Sequence, residues 1–172
     1  KVNKLPTFFS QEEVRNLLNA TENLKHKAIL TIIYSCGLRL SELINLKIAD
    51  IKSESNLLLI RQSKGNKDRI VALPDKLLLL LREYYKVYQP KDFLFEGAKG
   101  DQYSERSVQL ILKNAMSKAG VLSKGSVHTL RHSYATHLIK SGIDVRVVQE
   151  LLGHNDIRTT MIYTHITDID KK

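Results

Sequence analysis

Leu57-Leu58-Leu59-Ile60, then Lys64-Gly65-Asn66-Lys67-Asp68, then Arg69-Ile70-Val71-Ala72-Leu73 is the stretch that decides the fold class. Two apolar runs around a Gly/Asn/Asp turn read as a β-hairpin, and Ile48 to Ile51 add a third strand. The chain on either side carries helical signals. Upstream, Ser10 and Glu13 have capping-box spacing, and Val14, Leu17 and Leu18 follow with a helical period. A second, more buried helix is predicted over His26 to Cys36, stopped by Gly37, and a short third one over Leu40 to Leu46. Downstream, Pro74 opens a helix through about Tyr88, and Ser104 caps another that ends at Gly120. Three helices close the chain, near 129–141, 144–152 and 156–165, with Gly142 and Gly153 as stops. The expectation is a mainly α domain with a small three-stranded antiparallel β-sheet, covering residues 10–172. Residues 1–9, Lys-rich with Pro6 and no helical period, read as the remnant of an interdomain linker.

A chain of 172 residues with 42% hydrophobic side chains can bury one real core and is too short for two ordinary domains. Its formal charge of +9, from 27 basic and 18 acidic residues, favours a polyanionic partner: nucleic acid first, an anionic membrane surface second. The single cysteine, Cys36, lies in an apolar stretch, so no disulfide framework forms within the chain, which fits a reducing cytosol. There is no signal-peptide pattern, and no apolar run approaches the roughly 20 residues that span a bilayer. A cytoplasmic location without membrane attachment is the expectation.

The residues that can carry chemistry gather toward the C-terminus: His128-Thr129-Leu130-Arg131-His132, Leu151-Leu152-Gly153-His154 and Ile162-Tyr163-Thr164-His165. Cleaving a DNA phosphodiester without a metal sets the requirements. The transition state carries nearly two negative charges on the phosphoryl oxygens, and arginine forks answer them with paired, charge-assisted hydrogen bonds. The leaving 5′ oxygen needs a proton from a lysine or histidine. The nucleophile must hold the phosphate covalently, which a tyrosine can do once nearby cations ease loss of its phenol proton. Arg39, Arg131, Lys64, His128, His154 and Tyr163 supply one candidate or more for each task.

Each has an ordinary reading when taken alone. Arg39 is a surface arginine starting a helix, and Lys64 is a solvated turn lysine with Lys67 as its competitor. His128 and Arg131 share a helix face as a cap and a surface charge. His154 follows a helix stop, and Tyr163 is a half-buried core tyrosine. His132, four after His128, suggests a zinc face, but no HExxH, cysteine pair or carboxylate at ligand spacing supports it. His137 and His165 read as packing or surface histidines, and Tyr84, Tyr85 and Tyr88 as a packed helical cluster.

Together, Gly37-Leu38-Arg39-Leu40-Ser41-Glu42-Leu43, Ser63-Lys64-Gly65-Asn66-Lys67-Asp68-Arg69, His128-Thr129-Leu130-Arg131-His132, Leu151-Leu152-Gly153-His154 and Tyr163-Thr164-His165 resemble the catalytic domain of tyrosine site-specific recombinases, in the Xer and integrase branch. The resemblance covers the chain from Leu5 onward, with the blocks in family order. It implies the DNA breaking-rejoining fold and metal- and ATP-independent strand exchange through a 3′-phosphotyrosine, with no cofactor. By position, Arg39 and Arg131 would clamp the scissile phosphate and His154 would donate to a non-bridging oxygen. Lys64 would protonate the leaving 5′ oxygen, His128 would assist proton transfer at the nucleophile, and Tyr163 would form the ester. Glu42 would support the arginines. The partners implied are double-stranded DNA, further copies of the chain as a homo-tetramer on paired sites, and accessory proteins. An N-terminal core-binding domain, usual in the family, is not in this sequence, and the tail after Tyr163 is short. A type IB topoisomerase shares the chemistry, and a DNA-binding regulator could keep the fold without it. The compact spacing and the Leu-Gly-His block favour the recombinase over the first, and the intact candidate set favours it over the second.

Overall fold

The computed structural model describes residues 7–61 and 68–153. Helix α1 (Gln11–Ala20) begins at the expected box: the Glu13 N–H donates to Ser10 Oγ at 3.0 Å, and the Ser10 N–H donates to Glu13 Oε1 at 2.9 Å. Helix α2 (Leu24–Cys36) starts earlier than the hydrophobic pattern indicates, because the Asn23 side chain accepts from the His26 N–H at 3.0 Å and caps it there. Ala28, Ile29, Leu30, Ile32, Ile33 and Cys36 of α2 are all buried. That set wraps around more than one helix face, so α2 cannot lie on a surface. It runs through the middle, against α1, α3 (Leu40–Asn45), α4 (Asp75–Tyr88), α5 (Glu105–Ala119) and α6 (Val127–Lys140). A final described helix, α7 (Val145–Leu152), packs on α6. The expected helix near 156–165 lies outside the described residues.

The sheet is antiparallel in the order β1 (Ile51–Lys52), β2 (Leu57–Ile60), β3 (Arg69–Ala72). The strand expected over Ile48 to Ile51 is a correction: Ile48–Asp50 is a 3₁₀ turn, and only Ile51 and Lys52 pair. Asp50 closes the turn, accepting from the Lys47 N–H through its carboxylate and donating its own N–H to Lys47 O, both at 2.9 Å. The Ile48 N–H is taken by Asp92 O at 2.9 Å, in an isolated antiparallel bridge between Lys47 and Phe93 and not in the sheet. In the hairpin, Leu58 stands opposite Val71 and Ile60 opposite Arg69. Leu58, Ile60 and Val71 are buried while Ile70 is 60% exposed, so β2 and β3 bury alternate residues. Arg69 falls in the buried phase.

Phe8 and Phe9, in the stretch read as linker, pack into the domain. Phe9 is fully buried and its N–H donates to Ser133 Oγ at 2.8 Å. The Phe8 ring meets His137 edge-on at 6.3 Å. Among the described residues no helix is long and apolar enough to cross a membrane.

Gly37 ends α2 in the left-handed region at φ 65°. A Cβ there would overlap the ring of Tyr134 on α6. Gly37→Ala is therefore expected to cost at least about 1–2 kcal/mol from backbone strain, with the ring clash added. Urea unfolding checks this, and an unchanged midpoint would contradict it.

Candidate active site

The turn at Gly37 leads through buried Leu38 to Arg39, whose extended backbone starts α3. The Arg39 N–H donates to Glu42 Oε1 at 2.8 Å, so the first turn of α3 fixes a carboxylate that is itself only 5% exposed. Burying a carboxylate is costly unless it is paired and hydrogen-bonded. Here cations arrive from three other directions. The Arg39 guanidinium turns back on its own helix, with Nη1 donating to Oε2 at 3.1 Å. From β3, Arg69 makes a two-pronged contact, Nη1 to Oε2 at 2.6 Å and Nη2 to Oε1 at 3.0 Å. From α6, Nη1 of Arg131 lies 3.9 Å from Oε1.

Both buried arginines also grip backbone. Arg131 is 2% exposed, and donates from Nη1 to Gly37 O and from Nη2 to Leu152 O, the latter at 2.6 Å. Arg69 donates from Nε to Leu151 O at 2.8 Å. The carbonyls at the C-terminal end of α7, which carry the negative end of the helix dipole, are thus held by two cations. Gly153 follows in the left-handed conformation at φ 70°. A Cβ on it would come within 3.0 Å of Arg69 Nη1, so the close approach of this turn to the guanidinium favours glycine.

The electrostatics follow from this packing. Burial pushes the Glu42 carboxyl up, but the Arg69 hydrogen bonds and charge, the Arg39 N–H and the Arg131 charge outweigh it and hold it at about 2. Glu42 is ionised at neutral pH, and three guanidinium groups around one carboxylate leave the cluster with a surplus of positive charge. That surplus, in a partly desolvated setting, suits a phosphate dianion. His128 is exposed on α6, one turn before Arg131. Burial lowers its pKa first, and the charges of Arg131 and Arg39 lower it further. Its ring therefore stays neutral at physiological pH and can relay a proton. His132 meets His128 edge-on at 4.1 Å and is held down at about 4 by burial first, then by His128 and Arg131, against an opposing hydrogen bond with the backbone of Thr7. Burial pushes the Cys36 thiol up to about 12, which removes it as a nucleophile near neutral pH. Among the described residues no cluster of three or more His, Cys, Asp or Glu side chains could hold a metal ion.

Of the residues singled out from the sequence, Arg39, Glu42, His128 and Arg131 come together at this place. Lys64, with its competitor Lys67, and His154, Tyr163 and His165 lie outside the described residues. His137 packs, its Nδ1 2.6 Å from the Tyr34 hydroxyl. Tyr84 is buried with its hydroxyl donating to Leu94 O at 2.7 Å and stacks on Tyr88, whereas Tyr85 is 48% exposed. Sequence reasoning missed Arg69. The available signal was strand alternation: Arg69 is in phase with Val71, so a charged residue occupies a core-facing position.

The model of the phage integrase family matches residues 7–169. A tyrosine recombinase of Thermosipho africanus is 42% identical over 171 residues, which covers 98% of this chain and 60% of that protein. The tyrosine recombinase XerA of Pyrococcus horikoshii is 38% identical over 167 residues, covering 95% of this chain and 58% of that one. The chain thus spans about 60% of the length of these curated relatives. Among solved structures, a XerA recombinase superposes with a TM-score of 0.88 at 31% identity, over 95% of this chain and 62% of its own. A XerH site-specific recombinase in a post-cleavage complex with its palindromic difH substrate superposes with a TM-score of 0.87 at 30% identity, over 98% of this chain and 52% of its own.

Removing the Glu42 charge tests the cluster. Glu42→Gln leaves buried Arg69 without its anion and is expected to cost about 3–5 kcal/mol at neutral pH. The sign with pH is fixed by a folded value of about 2 against an ordinary 4.5. The contribution is complete above 4.5 and is lost as pH falls toward 2, so the gap between wild type and variant should close over that range. Urea midpoints taken at several pH values check it, and a gap that stays constant into acid would refute it.

Proposed function

This chain belongs to the phage integrase family, and from that premise we propose that it is the catalytic part of a site-specific DNA recombinase that cleaves and rejoins strands through a 3′-phosphotyrosine. The observation that carries the reading is the convergence of Arg39 and Arg131 on one buried carboxylate, beside a neutral His128. Such a cluster favours a bound phosphate, and its residues belong to the sequence blocks that carry the resemblance.

In the proposed reaction the Tyr163 phenolate oxygen attacks the scissile phosphorus while the bond from phosphorus to the 5′ oxygen breaks. Arg39 and Arg131 carry the charge that develops on the non-bridging oxygens, and His154 adds a hydrogen bond there. Lys64 gives the departing 5′ oxygen its proton, and His128 assists removal of the phenol proton. The phosphotyrosyl ester keeps the energy of the original bond. A 5′ hydroxyl from another strand can therefore reverse the step with no ATP and no metal. Exchange between two duplexes needs two pairs of such sites, so a homo-tetramer on paired DNA is part of the proposal. The formal charge of +9 supports binding to the phosphate backbone.

Covalent trapping tests this reading. The protein is mixed with a randomised pool of nicked duplexes in EDTA and resolved on a denaturing gel. An adduct is expected with wild type and none with Tyr163→Phe, which should bind DNA as well as wild type does. Arg131→Lys should lower adduct formation about 10²–10³-fold, since an ammonium cannot make the forked contact. An adduct that persists in Tyr163→Phe would sink the assignment of the nucleophile. Sequencing the trapped DNA separates a narrow target from the broad one of a topoisomerase.

A further inference from the structure

Arg69 has no counterpart in the roles proposed above, yet its Nη1 lies 2.6 Å from Glu42 Oε2, against 3.1 Å for Arg39 and 3.9 Å for Arg131. It is the first residue of β3, five positions after Lys64 in the sequence. Its planar fork is fully committed: two nitrogens to the two Glu42 oxygens and Nε to Leu151 O. Residues on three elements that are distant in sequence therefore meet on one side chain: Glu42 of α3, Leu151 of α7 and Arg69 itself on β3. All three of its guanidinium nitrogens are engaged with protein, so it is poorly placed to touch DNA. It is well placed to set the groups that would.

We infer that Arg69 is a positioning residue for this site: it fixes the carboxylate against which Arg39 is oriented, and it holds the C-terminal end of α7. The inference rests on the recombinase reading for its effect on cleavage, and on geometry alone for its effect on Glu42. Lysine cannot replace arginine here. One ammonium does not reach two carboxylate oxygens and a carbonyl in a single plane.

The test is a double-mutant cycle in the full chain, with Arg69→Met, Glu42→Gln and the two combined, and Arg69→Lys beside them. The combined variant removes the Arg69 charge together with its carboxylate, so it leaves fewer buried charges unpaired than Glu42→Gln alone. Three quantities are read: adduct formation on the randomised pool of nicked duplexes, DNA affinity, and the titration of the Glu42 carboxyl by carbon-13 NMR. Adduct formation is expected to fall roughly 10²-fold in Arg69→Met, as a slight misplacement of catalytic groups does. Arg69→Lys should not rescue it, and DNA affinity should be retained. The combined variant should be no slower than the slower single one, because both changes act on the same element. The Glu42 carboxyl should titrate higher in Arg69→Met, since burial then prevails. Wild-type adduct formation in folded Arg69→Met, or losses that multiply in the combined variant, would overturn the inference. If wild type itself forms no adduct, the recombinase reading fails, and the titration alone decides on Arg69: an upward move supports the positioning role and an unmoved value overturns it.

Discussion

A single buried carboxylate, Glu42, sets the terms for the rest of this structure. It lies in a six-residue helix that cannot bury it safely by itself, so the fold must bring cations to it. Arg39 comes from the same turn, Arg69 from the far strand of the hairpin and Arg131 from α6. An ion pair of this kind adds little net stability over a well-packed apolar core, because both charges lose their water. What it gives is a joint between elements, since α3, β3 and α6 each bring a charged side chain to it. Removing one partner is therefore far more damaging than the worth of the pair implies.

The second consequence is at the end of α7. Leu151 O and Leu152 O are each bound by one of the two buried arginines. Helix ends leave their last carbonyls without partners, and here that need is met by the residues that also neutralise Glu42. The cluster is thus a joint between the hairpin, the central helices and α7. A surplus of positive charge remains at this joint because three guanidinium groups meet one carboxylate and the backbone carbonyls offset only part of the difference. That is the physical link between the packing and the phosphate chemistry proposed for the site.

Much of this was legible in the sequence. Ser10 and Glu13 announced α1, Gly37 and Gly120 announced helix ends, and the two neighbouring apolar runs announced the paired strands β2 and β3, because each is a local pattern of nearby positions. Arg39, Glu42, His128 and Arg131 were legible because their motifs are compact. Ile48 to Ile51 misled because an apolar run says nothing of where its N–H groups go: the Ile48 N–H goes to Asp92 O and the Asp50 N–H to Lys47 O. Asn23 was overlooked as a cap for the same kind of reason, since its effect is a hydrogen bond and not a hydrophobic period.

By itself the sequence determined the class of fold, the helix stops and most of the candidate residues, since periodicity, caps and short motifs are properties of neighbouring positions. Only the tertiary structure decided that Glu42 would be shared by three arginines, that Arg69 would face inward, and that the end of α7 would be tied to both. Those contacts join residues separated by 27, 82 and 21 positions. No local pattern encodes a pairing over such distances. It is set by which faces of α2 and the sheet must be covered, and by the cost of leaving a buried charge without its counterpart.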